Sequence, residues 1–234
     1  VHLIHVLSRH TMEDSDPLLL LDAFDATDYD QYKAGFPMHP HRGIETISYV
    51  YQGTMVHKDS LGNEDAVNSG GVQWMTSGSG IFHEEMMPEV PRLFGVQLWL
   101  NLPKKYKWVK PEYKAINSDQ IEEIDFDGGY LRLLSGSYKD HTGFKSKYCP
   151  VSYYDIHIKP GQKFSLDLEE DDSLTLFSLI GEVYVAGEKL PNFNAGLTEL
   201  GGKELLLENK SDQEISVLAF ISKRIDEPIA WTPG

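Results

Sequence analysis

Turn residues interrupt this chain so often that little room is left for long helices. Glycine (20) and proline (12) recur along its 234 residues. The intervals hold short β-branched and aromatic runs: Glu45–Tyr51, Leu93–Leu100, Leu131–Leu134, Val151–Ile158, Leu174–Leu179, Glu182–Ala186, Glu204–Leu207 and Ile215–Ile221. Short strands with turn signals about every 8–12 residues predict an all-β sandwich or barrel. The best helical candidate is Ser118–Ile124, with Ser118 as N-cap and Glu122 close behind.

The pattern occurs twice. Gly35 opens a strand–turn–strand series that ends near Leu102, and Gly161 opens a similar one that ends near Ile221. Two related β-barrels are expected, residues 1–115 and 116–234, with the Lys/Pro/Asp-rich stretch Pro103–Gly129 connecting them. With 41% hydrophobic and 11% aromatic residues, each half can build a core. The net charge of −15 repels phosphate backbones and argues against direct nucleic-acid binding. Lys104, Lys105, Lys107 and Lys110, interleaved with Tyr106, Trp108 and Tyr113, read as a solvated loop between the two halves, with a site for an anionic partner as the alternative. No apolar stretch approaches the roughly 20 residues of a helical membrane span. No signal-peptide pattern opens the chain, and Cys149 is its one cysteine. A cytoplasmic monomer is expected, nuclear as well in a eukaryote.

Chemistry-bearing residues concentrate in the first half. His39 and His41 are two apart in Gly35-Phe-Pro-Met-His-Pro-His-Arg-Gly-Ile-Glu45. On an extended segment such residues share a face, so two imidazoles can converge on one ion. Glu45 has the same parity. Pro37 and Pro40 place the segment at a sheet edge or barrel mouth. A second cluster follows the turn Ser77-Gly-Ser-Gly80, where His83 and Glu85 share a face. Three histidines and a carboxylate form an N₃O donor set, suited to Fe, Ni, Mn, Co or Cu rather than Ca or Mg. On a six-coordinate ion it leaves two positions for water, O₂ or substrate. His57 with Asp59 is read as a structural pair. His2, His5, His10, His141 and His157 have no partner cluster and receive no site.

The spacing His39-x-His41-x₃-Glu45-x₇-Gly53, then Gly78-x-Gly80-x₂-His83, resembles the two cupin motifs. The wording Phe36-Pro-x-His-Pro-His-Arg-Gly-x-Glu45-Thr46, Gln73-Trp-Met-Thr76 and Gln97-Leu-Trp-x-Asn101-Leu102 resembles the pirin family. That resemblance implies a bicupin, two tandem jelly-roll-like barrels, with one divalent transition metal in the first, normally Fe(II). It implies His39, His41, His83 and Glu85 as ligands, with Glu45 beside the site but outside the ligand set. After Gly161 the matching place reads Lys163-Phe164-Ser165, and no histidine follows His157. The second barrel is therefore expected to carry no metal.

The resemblance further implies a dioxygenase opening flavonols such as quercetin with O₂, Glu85 serving as ligand and base. The alternative is a metal- or redox-dependent regulator binding a transcription factor or a metabolic enzyme. Phe36, Met38, Phe82 and Trp99 are candidate walls for a flat substrate. Arg42, placed near the metal, and Gln97 are candidate polar contacts.

Overall fold

The computed structural model describes residues 1–198 and 201–230. The first half contains the strands β1 (Ile4–Leu7), β2 (Leu18–Ala26), β3 (Phe36–His41), β4 (Ile44–Gln52), β5 (Thr54–Asp59), β6 (Glu64–Asn68), β7 (Gly71–Thr76), β8 (Ile81–Met86), β9 (Leu93–Asn101) and β10 (Glu112–Ile116). They form two sheets, ordered β1-β2-β9-β4-β7-β10 and β3-β8-β5-β6, and every pairing is antiparallel. The larger sheet carries runs such as Ile44–Val50 that are buried along their whole length, as expected of strands covered on both faces. This barrel holds an apolar core that includes Phe24, Tyr32, Val50, Met55, Val67 and Leu93.

The second half contains β11 (Glu123–Phe126), β12 (Gly129–Ser135), β13 (Ser137–Tyr138), β14 (His141–Thr142), β15 (Val151–Ile158), β16 (Lys163–Asp167), β17 (Asp172–Ile180), β18 (Val183–Val185), β19 (Glu188–Leu190), β20 (Ala195–Leu197), β21 (Glu204–Glu208) and β22 (Ile215–Lys223). Its main sheets run β11-β12-β15-β22-β17-β20 and β16-β21-β18-β19. The sheet order exposes the internal repeat: β15-β22-β17-β20 answers β2-β9-β4-β7, and β16-β21-β18-β19 answers β3-β8-β5-β6. The all-β, two-barrel architecture expected from the sequence is therefore present.

Two details differ from the sequence reading. Ser118–Gln120 makes only one 3₁₀ turn, and Glu123–Phe126 pairs with β12 as a strand. Ile121 and Ile124 are buried, whereas Glu122, Glu123 and Asp125 are not. Pairing against Leu131 thus decides the local structure over the N-cap signal. The division into units also departs from a single cut after residue 115. One unit takes Val1–Glu13, Pro17–Gln120 and the segment from Asp226 onward; the other takes Asp14–Asp16 and Ile121–Ile225. Asp16 Oδ2 accepts the Ile225 N–H at 2.6 Å, which ties Asp14–Asp16 to the second unit. Glu227 Oε2 accepts the Lys104 N–H at 2.5 Å, which ties the returning tail to the first. Residues 231–234 of the expected second domain lie outside the described residues.

The second barrel also shows what stands where the first carries its histidines. In β3 and β8, His39 faces His83 and Phe36 faces Glu85 across the ladder. In the equivalent strands Phe164 faces Leu207 and Leu166 faces Leu205. These side chains join an apolar core with Ile156, Leu174, Val217 and Ile221. Lys163 and Ser165, which the sequence places at the ligand positions, lie on the exposed face of β16. Among the described residues of this unit, Glu169, Asp171 and Asp172 form a carboxylate group, and Lys223 Nζ pairs with all three.

Candidate metal centre

Local sequence positions each histidine. Gly43, at φ +72°, turns the chain from β3 to β4, a left-handed conformation that favours glycine. The turn is clamped from outside: Lys107 Nζ donates to the Gly43 carbonyl at 2.9 Å and to Asn101 Oδ1. Arg42 stacks over Trp108 at 4.7 Å from the ring centroid. The lysine-rich stretch is therefore no bare solvated loop, because Lys107 and Trp108 fold onto the turn that carries His41. The second turn is equally tight. A Cβ at Gly78 would stand 2.1 Å from the Val109 carbonyl oxygen, closer than any side chain allows. Ser77 Oγ donates to the Ile44 carbonyl at 2.6 Å and accepts from the Ile44 N–H at 3.1 Å, joining this turn to the start of β4.

Between these turns the three imidazoles converge. His39 Nε2 lies 3.0 Å from His41 Nε2 and 3.1 Å from His83 Nε2. The potential ligand atoms of the three all lie within 4.8 Å of one another. His39 Nδ1 stands 2.7 Å from the Pro37 carbonyl oxygen. A carbonyl only accepts, so Nδ1 carries the proton and Nε2 turns a lone pair inward. Burial pushes the His41 pKa down to about 4, and the charge of His39 adds to this. Burial and the charges of His41, His39 and His57 push His83 down to about 2. Both rings are neutral near pH 7, as metal ligands must be. Inward lone pairs at this separation repel one another unless a cation lies between them. The donor set therefore fits a divalent first-row transition ion.

Glu85 is 2% exposed, two residues beyond His83 on the same face of β8. Its Oε1 accepts from Ser48 Oγ at 3.1 Å and its Oε2 from Gln97 Nε2 at 2.8 Å. Burial raises its pKa above the ordinary carboxylate range, although Gln97 and Ser48 oppose that shift. Trp99 packs edge-on against His41, with ring centroids 5.0 Å apart. Gln97 and Trp99 thus stand at the centre, one on the carboxylate and one on a histidine.

Other expected site residues lie elsewhere. Glu45 is buried and accepts from Thr76 Oγ1 at 2.7 Å. It alternates with Ser48 along β4 and so sits on the opposite face from the Ser48–Glu85 contact. The shared parity with His39 and His41 fails because the Gly43 turn carries the chain into the other sheet. Arg42 is exposed on Trp108. Met38 and Phe82 are 51% and 53% exposed. Strand alternation places Phe82 opposite Pro40 on the outer face, and the same alternation turns Met38, next to His39, outward. Neither is a wall on the histidine side. Phe36 is half-buried, pairs with Glu85 across the ladder and packs against the apolar core of Phe24, Tyr32 and Met55. Sequence reasoning gave Ser48 no role, yet its position opposite Gln97 on β9 and Gln73 on β7 marks it as part of a polar row inside the barrel.

Comparisons with known proteins agree with this geometry. Residues 1–100 match the sequence profile of the family described as Pirin. A human pirin is 34% identical over 232 residues, spanning 95% of this chain and 77% of its own length. The chain belongs to the pirin family. A Pseudomonas aeruginosa protein provisionally named quercetin 2,3-dioxygenase is 36% identical over 240 residues, covering 98% of this chain and 83% of that protein. The crystal structure of a quercetin 2,3-dioxygenase from Acinetobacter baumannii superposes with a TM-score of 0.90 at 31% identity, covering 99% of this chain and 83% of that one. The pirin bicupin architecture thus accounts for both barrels.

Proposed function

We propose that this pirin is a mononuclear metal-dependent dioxygenase that opens the central ring of flavonols such as quercetin with O₂. The observation that carries the reading is the convergence of His39, His41 and His83 Nε2, with the buried carboxyl of Glu85 two residues beyond His83 on the same strand face. Fe(II) is the metal of this reading, with Ni, Mn, Co and Cu as ions the same donors accept. The names of the relatives from Pseudomonas aeruginosa and Acinetobacter baumannii support the substrate class.

His39, His41 and His83 would hold the ion, and Glu85 would complete the ligand set, as the family resemblance implies. The metal supplies Lewis acidity towards the 3-hydroxy-4-keto edge of the substrate and a place for O₂ beside it. The protein's part is positioning and proton handling. Glu85, held by Ser48 and Gln97, accepts the hydroxyl proton as the flavonol binds as its anion. Ser48 and Gln97 fix the direction of that carboxylate. Trp99 fixes the plane of His41 and presents an aromatic edge. The net charge of −15 gives no attraction to a flavonolate, so affinity rests on the metal and on apolar contact, with little salt dependence.

The test follows the loss of quercetin's visible absorbance under O₂, together with carbon monoxide release. Four samples are compared: iron-loaded chain, nickel-loaded chain, metal-free chain, and free iron salt at equal concentration. Metal-dependent turnover faster than the free salt supports the proposal. A loaded chain no faster than the salt defeats it and leaves the metal-dependent regulator as the reading.

A further inference from the structure

His57 and Asp59 stand directly behind the metal centre and have no part in the reading above. His57 Nδ1 lies 3.4 Å from His83 Nδ1. On its other side, His57 Nε2 lies 2.8 Å from Asp59 Oδ2. The Asp59 carboxylate is anchored in turn. Oδ1 accepts the N–H groups of Leu61 at 2.9 Å and Asn63 at 3.1 Å, and Oδ2 accepts Asn63 Nδ2 at 2.8 Å. Tyr113 stacks on the His57 ring at 3.8 Å and 4° between planes, which fixes its orientation. His57 is 1% exposed and Asp59 is 9% exposed. Burying a polar pair so completely is costly unless each atom finds its partner.

We infer that Asp59 and His57 form a positioning relay that sets the tautomer and orientation of the metal ligand His83. The proton positions follow from the chemistry. A ligating His83 Nε2 must offer a lone pair, so the proton of this ring sits on Nδ1. The atom facing that proton is His57 Nδ1, which must therefore accept. The proton of His57 then sits on Nε2, against a carboxylate that can only accept. Every atom along Asp59–His57–His83 has one consistent role, and the chain ends with a lone pair aimed at the ion. His39 receives the same service from the Pro37 carbonyl. A ligand imidazole held in this way by a carboxylate-backed acceptor is a stronger donor and is prepaid in orientation. The inference rests on metal binding at the three histidines, the premise of the proposed function, and is independent of any flavonol.

The test uses Zn(II) as a diamagnetic probe. Long-range ¹H–¹⁵N spectra of histidine side chains in the zinc-loaded chain are expected to show His83 protonated at Nδ1 and His57 protonated at Nε2. Zn(II) affinity, measured against a competing chelator, is expected to fall about 10–100-fold in His57→Leu. His57→Asn, whose carbonyl oxygen can take the place of Nδ1 as acceptor, should recover part of that loss. Asp59→Asn should weaken zinc in the same direction and add little in the double variant with His57→Leu, as members of one relay are non-additive. The spectra of the native chain stand even where a variant fails to fold. A proton on His57 Nδ1, or a folded His57→Leu chain that holds zinc as tightly as the native one, overturns the relay. A native chain that binds zinc yet opens no flavonol overturns the proposed function alone. A native chain that binds no zinc overturns both.

Discussion

At the residue scale, two buried carboxylates of the first barrel have opposite prospects. Glu85 shares a strand face with His83 and is held by two donors. Glu85→Gln should weaken metal retention and abolish turnover, because it removes a ligand charge and the base together. It also sets an amide N–H₂ against that of Gln97, leaving a buried donor unpaired at a cost of about 1–3 kcal/mol. Glu45→Gln keeps an oxygen for the Thr76 hydroxyl. It should leave the metal bound, with at most a loss of about 10–100-fold in affinity. Metal content after dialysis of each variant decides this, and a Glu45 variant stripped of metal beside an intact Glu85 variant would reverse the ligand assignment.

The histidines add a pH dependence. In the metal-free chain, His41 and His83 sit below the ordinary value of 6.5. The unfolded chain then binds more protons than the native one as pH falls from 6.5 towards 4. The stability present above pH 6.5 is therefore lost in that window, by roughly 3 kcal/mol for His41 once the pH is below both values. His157 runs the other way. Burial opposes its protonation, but Asp155 and Glu214 outweigh this and raise its pKa, so its contribution is present below 6.5 and is lost as pH rises through the folded value. Melting temperatures of the metal-free chain from pH 7.5 to 4.5 test the first effect. His41→Gln should flatten the decline, and an equal decline in both chains would contradict it.

At the scale of elements, the two tight turns do as much for the site as the strands. Gly78→Ala places a methyl 2.1 Å from the Val109 carbonyl oxygen at φ +47°. Gly62→Ala, at φ +89°, meets nothing within 4 Å. Both carry backbone strain of about 1–3 kcal/mol, but only the first must also displace backbone beside β8. Gly78→Ala should lower both melting temperature and metal affinity, and Gly62→Ala the melting temperature alone. Equal metal affinity in the two folded variants would show that the Ser77–Gly80 turn does not set the position of His83.

The same elements show what was legible in the sequence. The strands around Glu45–Tyr51, Val151–Ile158 and Ile215–Ile221 were readable because β-branched runs end in turn residues. The convergence of His39, His41 and His83 was readable because i and i+2 share a strand face. Glu45 was misplaced because parity does not survive a turn that changes sheets, and Met38 because a residue next to His39 on a strand faces the other way. His57 and Asp59 read from sequence as a structural pair because such a His-x-Asp spacing arises easily on strands. Only the register of β5 against β8, with His57 opposite Glu85 and Asp59 opposite His83, brings them to the metal centre. The 3₁₀ turn at Ser118–Gln120 was unreadable because its fate depends on a partner strand, β12.

At the scale of the whole molecule, one architecture is used twice with opposite interiors. The first barrel turns histidines and a carboxyl inward from β3 and β8. The second turns Phe164, Leu166, Leu205 and Leu207 inward from the equivalent strands, filling the equivalent space with apolar side chains where the first barrel has ligands. The chain should therefore hold one equivalent of transition metal. The double change His39→Ala with His41→Ala should abolish it and leave the second barrel folded, which elemental analysis and circular dichroism would report together.

The most direct measurement is anomalous X-ray diffraction at the metal's absorption edge, from crystals of chain purified without chelator. The account predicts one strong peak per chain, about 2.0–2.2 Å from Nε2 of His39, His41 and His83, with the Glu85 carboxylate turned to it. A peak of equal height in the second barrel, or none among these three histidines, would contradict it.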